Sequence, residues 1–359
     1  MKTKIAYIIP TLSLGGAEKQ QINILNGINT ERFEVKLYIL KDKVQLLSQL
    51  TNKGIQVKIC HIESFLDIGA FYHFVIDIKK FNPTIIHSHM YNANLLARFL
   101  KIIIPKAKIV NHFHGMSQWM STLKLLLDKS TSFLVSKFIV VSQKSYDIRL
   151  TREKYDKNKM EILINSVDFK PIQDINNTTL PQSFVIGMAS RLIPLKNIEG
   201  AIFMLSQLQK RGLELNLIIA GEGPHRQILE QKAKEFGVSE KVKFLGFVSK
   251  MENFYSQIDI YCISSLTEDM PLSVIEAMNS GKPVIASNVG GIPSLLQDLD
   301  SCTLLIDDFF NLDNIDKIRN FIKDIDISNC KSRLINYTMK KYDNQSYLQK
   351  LEQIYMELI

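Results

Sequence analysis

Several things are scarce in this chain of 359 residues, and each scarcity excludes something. It has four cysteines, Cys60, Cys262, Cys302 and Cys330, without the paired spacing of a zinc or redox motif; they are expected to be buried free thiols. It has one tryptophan and no basic stretch interleaved with aromatics, which argues against a nucleic-acid groove. No apolar run approaches the roughly 18 to 20 residues that a membrane span requires. The opening Met1-Lys2-Thr3-Lys4 and the short run Ile5 to Ile9 are too brief for a secretory signal and read as a first strand. No internal repeat and no low-complexity tract is visible.

What is abundant is apolar residue, 46% of the chain, enough for two cores at this length. Net charge is +8 and uneven: residues 1–170 carry 25 Lys and Arg against 13 Asp and Glu, and the remainder carries 19 against 23. A basic first half fits an anionic lipid surface or a phosphate-bearing acceptor, or is a lysine-rich solvated face.

Short Ile- and Val-rich runs alternate with longer helical patterns. Lys4–Ile9, Glu34–Leu40, Val57–Cys60, Ile85–His87, Ile109–His112 and Phe138–Val141 read as parallel strands of a first half. The alternation breaks at Ile162 to Asp168, and Lys170 to Pro181 reads as a linker. It resumes with Phe184–Met188, Leu215–Ala220, Val242–Leu245, Ile258–Ile263, Val284–Ser287 and Thr303–Ile306. The expectation is two doubly wound α/β domains facing a cleft, residues 1–170 and residues 171–335, and Ser332 to Ile359 reads as one or two amphipathic helices.

Chemistry-bearing residues fall at strand ends. After the first strand comes Gly15-Gly16-Ala17-Glu18, where paired glycines admit a ligand close to a helix N-terminus. After Phe184–Met188 come Arg191 and Lys196, two cations in one loop, the clamp a diphosphate leaving group needs. Gly221-Glu222-Gly223-Pro224 and Gly246-Phe247 are glycine exits from strands, the second suited to a flat base against the backbone of Gly246 and Phe247. The segment from Ser264 to Met278 carries Glu268 in the loop above a strand and Glu276 about two turns along a helix opening at Pro271, an outline of a nucleotide-sugar site. His112 and His114 are expected to point to opposite faces, with His114, beside Gly115, facing the cleft; His87 and His89, at another strand end, either line the cleft as well or, like His112, are structural. No Asp or Cys lies near the histidines, and no metal is expected. Ser117 to Val135, with Trp119, Met120, Leu123 and Leu125 to Leu127 punctuated by Lys124 and Lys129, reads as an apolar, basic-edged surface helix or as an ordinary core helix.

Taken together, these motifs resemble the retaining GT-B glycosyltransferases of glycosyltransferase family 4, over nearly the whole chain. The motifs are Gly15 to Glu18, His114-Gly115, Asn165-Ser166-Val167-Asp168, Arg191 with Lys196, Gly221 to Pro224, and the glutamate pair followed by Gly281 to Ser287 and Gly290 to Pro293. The resemblance implies a UDP- or GDP-sugar held by the second domain and a glycan or lipid-linked acceptor held by the first. It assigns Arg191 and Lys196 to the diphosphate, Glu276 to the ribose hydroxyls and Glu268 to the donor sugar. The backbone of Met270, Pro271, Leu272 and Ser273 lies near the sugar or phosphate, Gly15 and Gly16 over the phosphate, and His114 at a sugar hydroxyl. It implies no metal and no cofactor, retention of configuration, a terminal helix over 336–359 packing back on the first domain, and a cytoplasmic enzyme of surface-glycan assembly, peripheral on the inner membrane face; front-face attack is favoured over double displacement, for which no carboxylate on the sugar's β-face is identified. Asp269, where a small residue is usual, departs from the pattern; it either alters sugar selectivity or points outward. An epimerase or phosphorylase of the same architecture, and a non-catalytic carbohydrate-binding subunit, are the alternatives.

Overall fold

The computed structural model describes residues 2–64, 66–115, 121–168 and 184–359. The linker expected at Lys170 to Pro181 lies outside the described residues. The chain divides into two units, Met1–Asp168 with Asp343–Ile359, and Phe169–Tyr342.

The first unit runs β1 (Thr3–Ile9), α1 (Gly16–Gly27), β2 (Phe33–Ile39), β3 (Gln56–Ile59), α2 (Ile68–Phe81), β4 (Ile85–His89), α3 (Met90–Ile103), β5 (Lys108–Phe113), α4 (Thr122–Thr131), β6 (Lys137–Val140), α5 (Gln143–Ile148) and β7 (Met160–Ile162). Its sheet is parallel in the order β3-β2-β1-β4-β5-β6-β7. The sequence reading stopped one strand short: β7 is three residues long, too short to register as an apolar run, and pairs with β6 through Phe138 and Met160.

The second unit runs β8 (Phe184–Ala189), α6 (Ile198–Lys210), β9 (Leu215–Ala220), α7 (Arg226–Glu235), β10 (Val242–Gly246), α8 (Met251–Tyr255), β11 (Ile260–Ile263), α9 (Leu272–Asn279), β12 (Val284–Ser287), α10 (Ile292–Leu295), β13 (Thr303–Ile306), α11 (Leu312–Asp324) and α12 (Ile327–Lys341). Its sheet order is β10-β9-β8-β11-β12-β13. In both sheets the order reverses beside the first strand, between β1 and β4 and between β8 and β11. Chain leaving neighbouring strands there turns to opposite sides, opening a crevice at the carboxyl ends.

The final helix α13 (Asn344–Glu357) belongs to the first unit. The sequence expectation starts the returning segment at residue 336, but 336–341 completes α12, and the return starts at Asp343, whose carboxylate caps α13 by accepting from the Ser346 N–H (2.7 Å). Tyr347, Leu351, Ile354 and Tyr355 of α13 join Ile22, Ile24 and Leu25 of α1 in one core. The Asn165-Ser166-Val167-Asp168 motif fastens this return. Ser166 Oγ donates to Asn344 Oδ1 (2.8 Å) and accepts from Gln20 Nε2 (3.1 Å), and Val167 bridges Asp343.

The cysteine expectation holds for two residues and fails for two. Cys60 and Cys262 are buried free thiols, whereas Cys302 and Cys330 form a disulfide across 28 positions, with Cα atoms 5.4 Å apart. A separation that long leaves no local signal; the packing of α12 against the loop before β13, where Arg333 donates to Ser301 Oγ (2.7 Å) and Asp298 O (2.7 Å), makes the pair.

Candidate functional site

In the second unit the functional loops are fixed by backbone contacts before any side chain acts. Gly221, at φ +136°, lies against the Ser190 carbonyl so closely that a Cβ would overlap it, and its N–H donates to Gly246 O (2.7 Å). Leu192 N–H donates to Glu222 O (2.9 Å). These bonds stitch the exits of β8, β9 and β10 together. Gly246 has φ +70°, a left-handed conformation natural to glycine, and directs Phe247 outward, where it is half exposed.

The loop after β8 folds through one turn at Pro194–Lys196, and Asn197 takes the left-handed conformation that starts α6. Ser264, on the loop after β11, donates its hydroxyl to the carbonyls of Lys196 (3.1 Å) and Asn197 (2.8 Å), and Leu266 N–H donates to Leu195 O (2.9 Å). The two loops flanking the switch point are thus tied together. On that frame Lys196 Nζ pairs with Glu268 Oε1, which also accepts from Ser265 Oγ (2.8 Å); the two side chains are only 17% and 12% exposed. A cation assigned to phosphate and a carboxylate assigned to sugar therefore share one spot, 72 positions apart in the chain. Arg191 is exposed and pairs with no carboxylate among the described residues.

Helix α9 is capped by Pro271, and Glu276 sits a little over one turn inside it. Ser273 and Glu276, three apart, lie on its partly open face, while Leu272, Val274, Ile275, Ala277 and Met278 are buried. Tyr255, absent from the sequence reading, donates its hydroxyl to Glu276 Oε2 (3.1 Å) and to Ser273 O (3.2 Å). Burial, then the Glu276 carboxylate, raises its hydroxyl pKa well above the usual value, so it stays a donor. No motif marks Tyr255; it is one of 12 tyrosines. Met270 is buried, and Asp269, expected either to alter selectivity or to point outward, is 6% exposed and turned inward.

In the first unit Gly15 caps α1 in an extended conformation open to any residue. The Glu18 carboxylate folds back over it, accepting from Ser13 Oγ (2.9 Å) and Thr11 Oγ1 (3.2 Å), so a Cβ there would displace the flexible end of that side chain. Helix α1 also reaches His114, whose Nε2 lies 2.9 Å from Gln21 Nε2 and 2.9 Å from His89 Nδ1.

The histidine expectation is corrected here. Strand side chains alternate with period two, so residues two apart share a face. His112 and His114 stack at 4.3 Å, and His87 and His89 on the adjacent β4 come to 4.3 Å, with His89 opposite His112 in register. Four of the chain's seven histidines thus form one cluster beside Tyr7 and Tyr355. Burial pulls the rings of His87, His89 and His112 well below the usual imidazole pKa, and that of His114 to about 3, so all four are neutral. One ring nitrogen each of His87, His89 and His112 lies within 4.8 Å of the other two.

The comparisons with known proteins follow the same division. The family described as Glycosyltransferase Family 4 matches residues 14–170, and that described as Glycosyl transferases group 1 matches residues 171–341. The chain belongs to glycosyltransferase family 4. Its fold is GT-B, and it is a glycosyltransferase. It is 23% identical over 393 residues, covering 100% of this chain and 98% of the relative, to an Escherichia coli UDP-Gal:alpha-D-GlcNAc-diphosphoundecaprenol alpha-1,3-galactosyltransferase. It is 24% identical to the Escherichia coli O-antigen biosynthesis glycosyltransferase WclY, covering 85% of this chain and 84% of that one. Among solved structures, Anabaena HepE in complex with UDP superposes with a TM-score of 0.83 over 99% of this chain and 100% of that chain at 19% identity. This glycosyltransferase therefore places Lys196, Glu268 and Glu276 around the switch point of its second sheet, and His114 near that of its first.

Proposed function

We propose that the enzyme transfers a hexosyl unit from a UDP-sugar to a lipid-linked saccharide with retention of configuration. The Lys196–Glu268 pair beside Glu276 carries this reading: a phosphate-seeking cation, a sugar-directed carboxylate and a ribose-directed carboxylate on two tied loops and one helix. The full-length galactosyltransferase relative uses UDP-Gal and a diphosphoundecaprenol acceptor, and HepE binds UDP, which supports the donor and acceptor classes.

In this scheme the second unit holds the donor. Glu276, oriented by Tyr255, accepts from the ribose hydroxyls; Glu268 accepts from a sugar hydroxyl; Arg191 and Lys196 hold the diphosphate. Backbone N–H groups of Met270, Leu272 and Ser273 donate to the sugar or phosphate, and Gly246 and Phe247 flank the base. The bond from the anomeric carbon to the phosphate oxygen breaks, and the electron pair leaves with UDP. The acceptor hydroxyl forms the new bond on the same face and passes its proton to the departing phosphate. Lys196 and Arg191 neutralise the charge that grows on the leaving group, so the diphosphate needs no metal ion. The first unit supplies the acceptor side.

A lipid-linked acceptor lies at a membrane surface, and no described helix is long and apolar enough to cross one. Helices α2 and α3 share a core over one face of the first sheet, and α4 joins α3 through the buried Arg98–Asp128 pair (2.9 Å). Outward from them stand Tyr72, Ile76, Ile102, Leu123 and Leu126, all exposed. Lys79, Lys80, Lys101, Lys124 and Lys129 lie on the same helices. The α4 face favours the surface-helix reading over a core helix, since only Asp128 of α4 is buried; Trp119 and Met120 lie outside the described residues. An apolar, lysine-rimmed face suits peripheral binding to anionic lipid.

The test is transfer from radiolabelled UDP-glucose and UDP-galactose to a diphosphoundecaprenol-linked monosaccharide, with the product anomer read by NMR. An α-linked product is expected; a β-linked product, or turnover only with non-nucleotide donors, refutes the reading. Flotation with anionic vesicles should carry the native chain up and leave L123E/L126E behind.

A further inference from the structure

We propose that the first unit holds a buried binding site for one first-row divalent transition-metal ion, with zinc as the reference, ligated by His87, His89 and His112. The site is distinct from the donor chemistry of the second unit and does not depend on it.

Three observations carry it. The first is convergence: the parallel pairing of β4 and β5 sets His89 opposite His112, the alternation of β4 brings His87 to the same face, and one nitrogen from each ring lies within 4.8 Å of the others. The second is unmet bonding capacity. His87, His89 and His112 are wholly buried, yet Nε2 of His87, Nε2 of His89 and both ring nitrogens of His112 have no hydrogen-bond partner among the described residues. Buried polar atoms are ordinarily satisfied, so four such positions in one cluster point to a ligand. The third is the outer hydrogen bonding. His87 Nδ1 meets the Tyr355 hydroxyl at 2.5 Å, and His89 Nδ1 meets His114 Nε2 at 2.9 Å. Those contacts occupy Nδ1 and leave Nε2 without a partner on both rings, the arrangement in which an outer partner orients a ligating imidazole.

The donor set selects the ion. Three neutral imidazoles suit zinc, cobalt, nickel or copper and do not suit magnesium or calcium, which take oxygen ligands. With Zn–N near 2.0–2.1 Å, tetrahedral ligand nitrogens stand about 3.4 Å apart, so the rings draw inward on loading. Three protein ligands leave a fourth position for water or hydroxide, and the partly open His114 end of the row is the route in. A loaded ion would fasten the ends of β4 and β5, fix the tautomer of His89, and thereby orient His114.

The test uses the full chain after chelator treatment. Zinc binding is measured by equilibrium dialysis with metal analysis, and cobalt binding by its visible absorption. One equivalent per chain, with the intense bands of four-coordinate nitrogen-ligated cobalt, is expected, and magnesium should not compete. His112→Asn and His87→Gln should each weaken zinc binding by at least about 100-fold, whereas His61→Ala and His73→Ala, on exposed rings, should leave it unchanged. Thermal melting checks that the variants fold. If neither core variant folds, 15N imidazole spectra of the native chain decide: three ring signals must shift on loading. Absence of binding, octahedral cobalt, binding undiminished in both folded variants, or no imidazole shift overturns the proposal.

Discussion

Replacing Lys196 with alanine is the most direct probe of the donor site, because the structure separates its chemical and structural consequences. The backbone around it is held by Ser264 and by Leu266 N–H, neither of which needs the lysine side chain. The substitution deletes a cation beside the leaving group and strands Glu268, 12% exposed, with Ser265 as its remaining partner among the contacts described above. Losing one preorganised charge contact to a developing anion costs about 2.7–4 kcal/mol, or roughly 100- to 1,000-fold in turnover. Breaking a fully buried pair costs about 3–5 kcal/mol; this pair retains some solvent, so about 1–2 kcal/mol of stability should be lost. The assay is single-turnover transfer from radiolabelled donor, paired with urea unfolding of Lys196→Ala, Glu268→Ala and the double variant. The expected pattern is a large fall in the chemical step, a modest fall in stability, and a stability coupling of about 1 kcal/mol between the two positions. Turnover within about threefold of native in folded Lys196→Ala would refute the assignment of Lys196 to the leaving group.

Four further outcomes are expected. Tyr255→Phe removes the hydroxyl that orients Glu276, so donor KM should rise about 5- to 10-fold with kcat little changed, in line with one hydrogen bond of roughly 1–1.5 kcal/mol. Gly221→Ala should unfold or lose more than about 3 kcal/mol, because a Cβ there overlaps the Ser190 carbonyl, whereas Gly246→Ala, whose Cβ meets Glu222 Oε1 at 3.4 Å and Arg226 Nη1 at 4.0 Å without overlap, should lose about 1–2 kcal/mol in urea titrations. Thiol titration in denaturant should count two free thiols before reduction and four after it, given the Cys302–Cys330 pair. Leu351→Ala, in the core shared by α1 and α13, should cost about 2–5 kcal/mol, while Met356→Ala, 50% exposed, should stay within about 0.5 kcal/mol by calorimetry.

The parallel strands were legible because a strand covered on both faces is a continuous apolar run, and the intervening helices are not. All twelve runs named from the sequence are strands, with ends shifted by two residues at most. The shortest, β7, escaped because three residues carry no period. Ile258, read as strand, precedes β11 and instead packs against Gly187, where a Cβ would overlap it. At the site, the sequence supplied the residue types and the loops that bear them. It did not supply Tyr255, which lies on α8 and meets Glu276 only through the fold.

Sequence by itself determined the family, the two-sheet composition, and the placement of Gly15, Arg191, Lys196 and Glu268 just past strand ends, since these rest on local apolar period and on turn chemistry. Tertiary structure alone decided which of them touch. Lys196 meets Glu268 because β8 and β11 are neighbours in a sheet whose order departs from chain order. Cys302 meets Cys330, and four histidines become one cluster, for the same kind of reason. Contact across a sheet depends on strand order and register, and those are fixed by the cooperative packing of the whole unit rather than by any short stretch of residues.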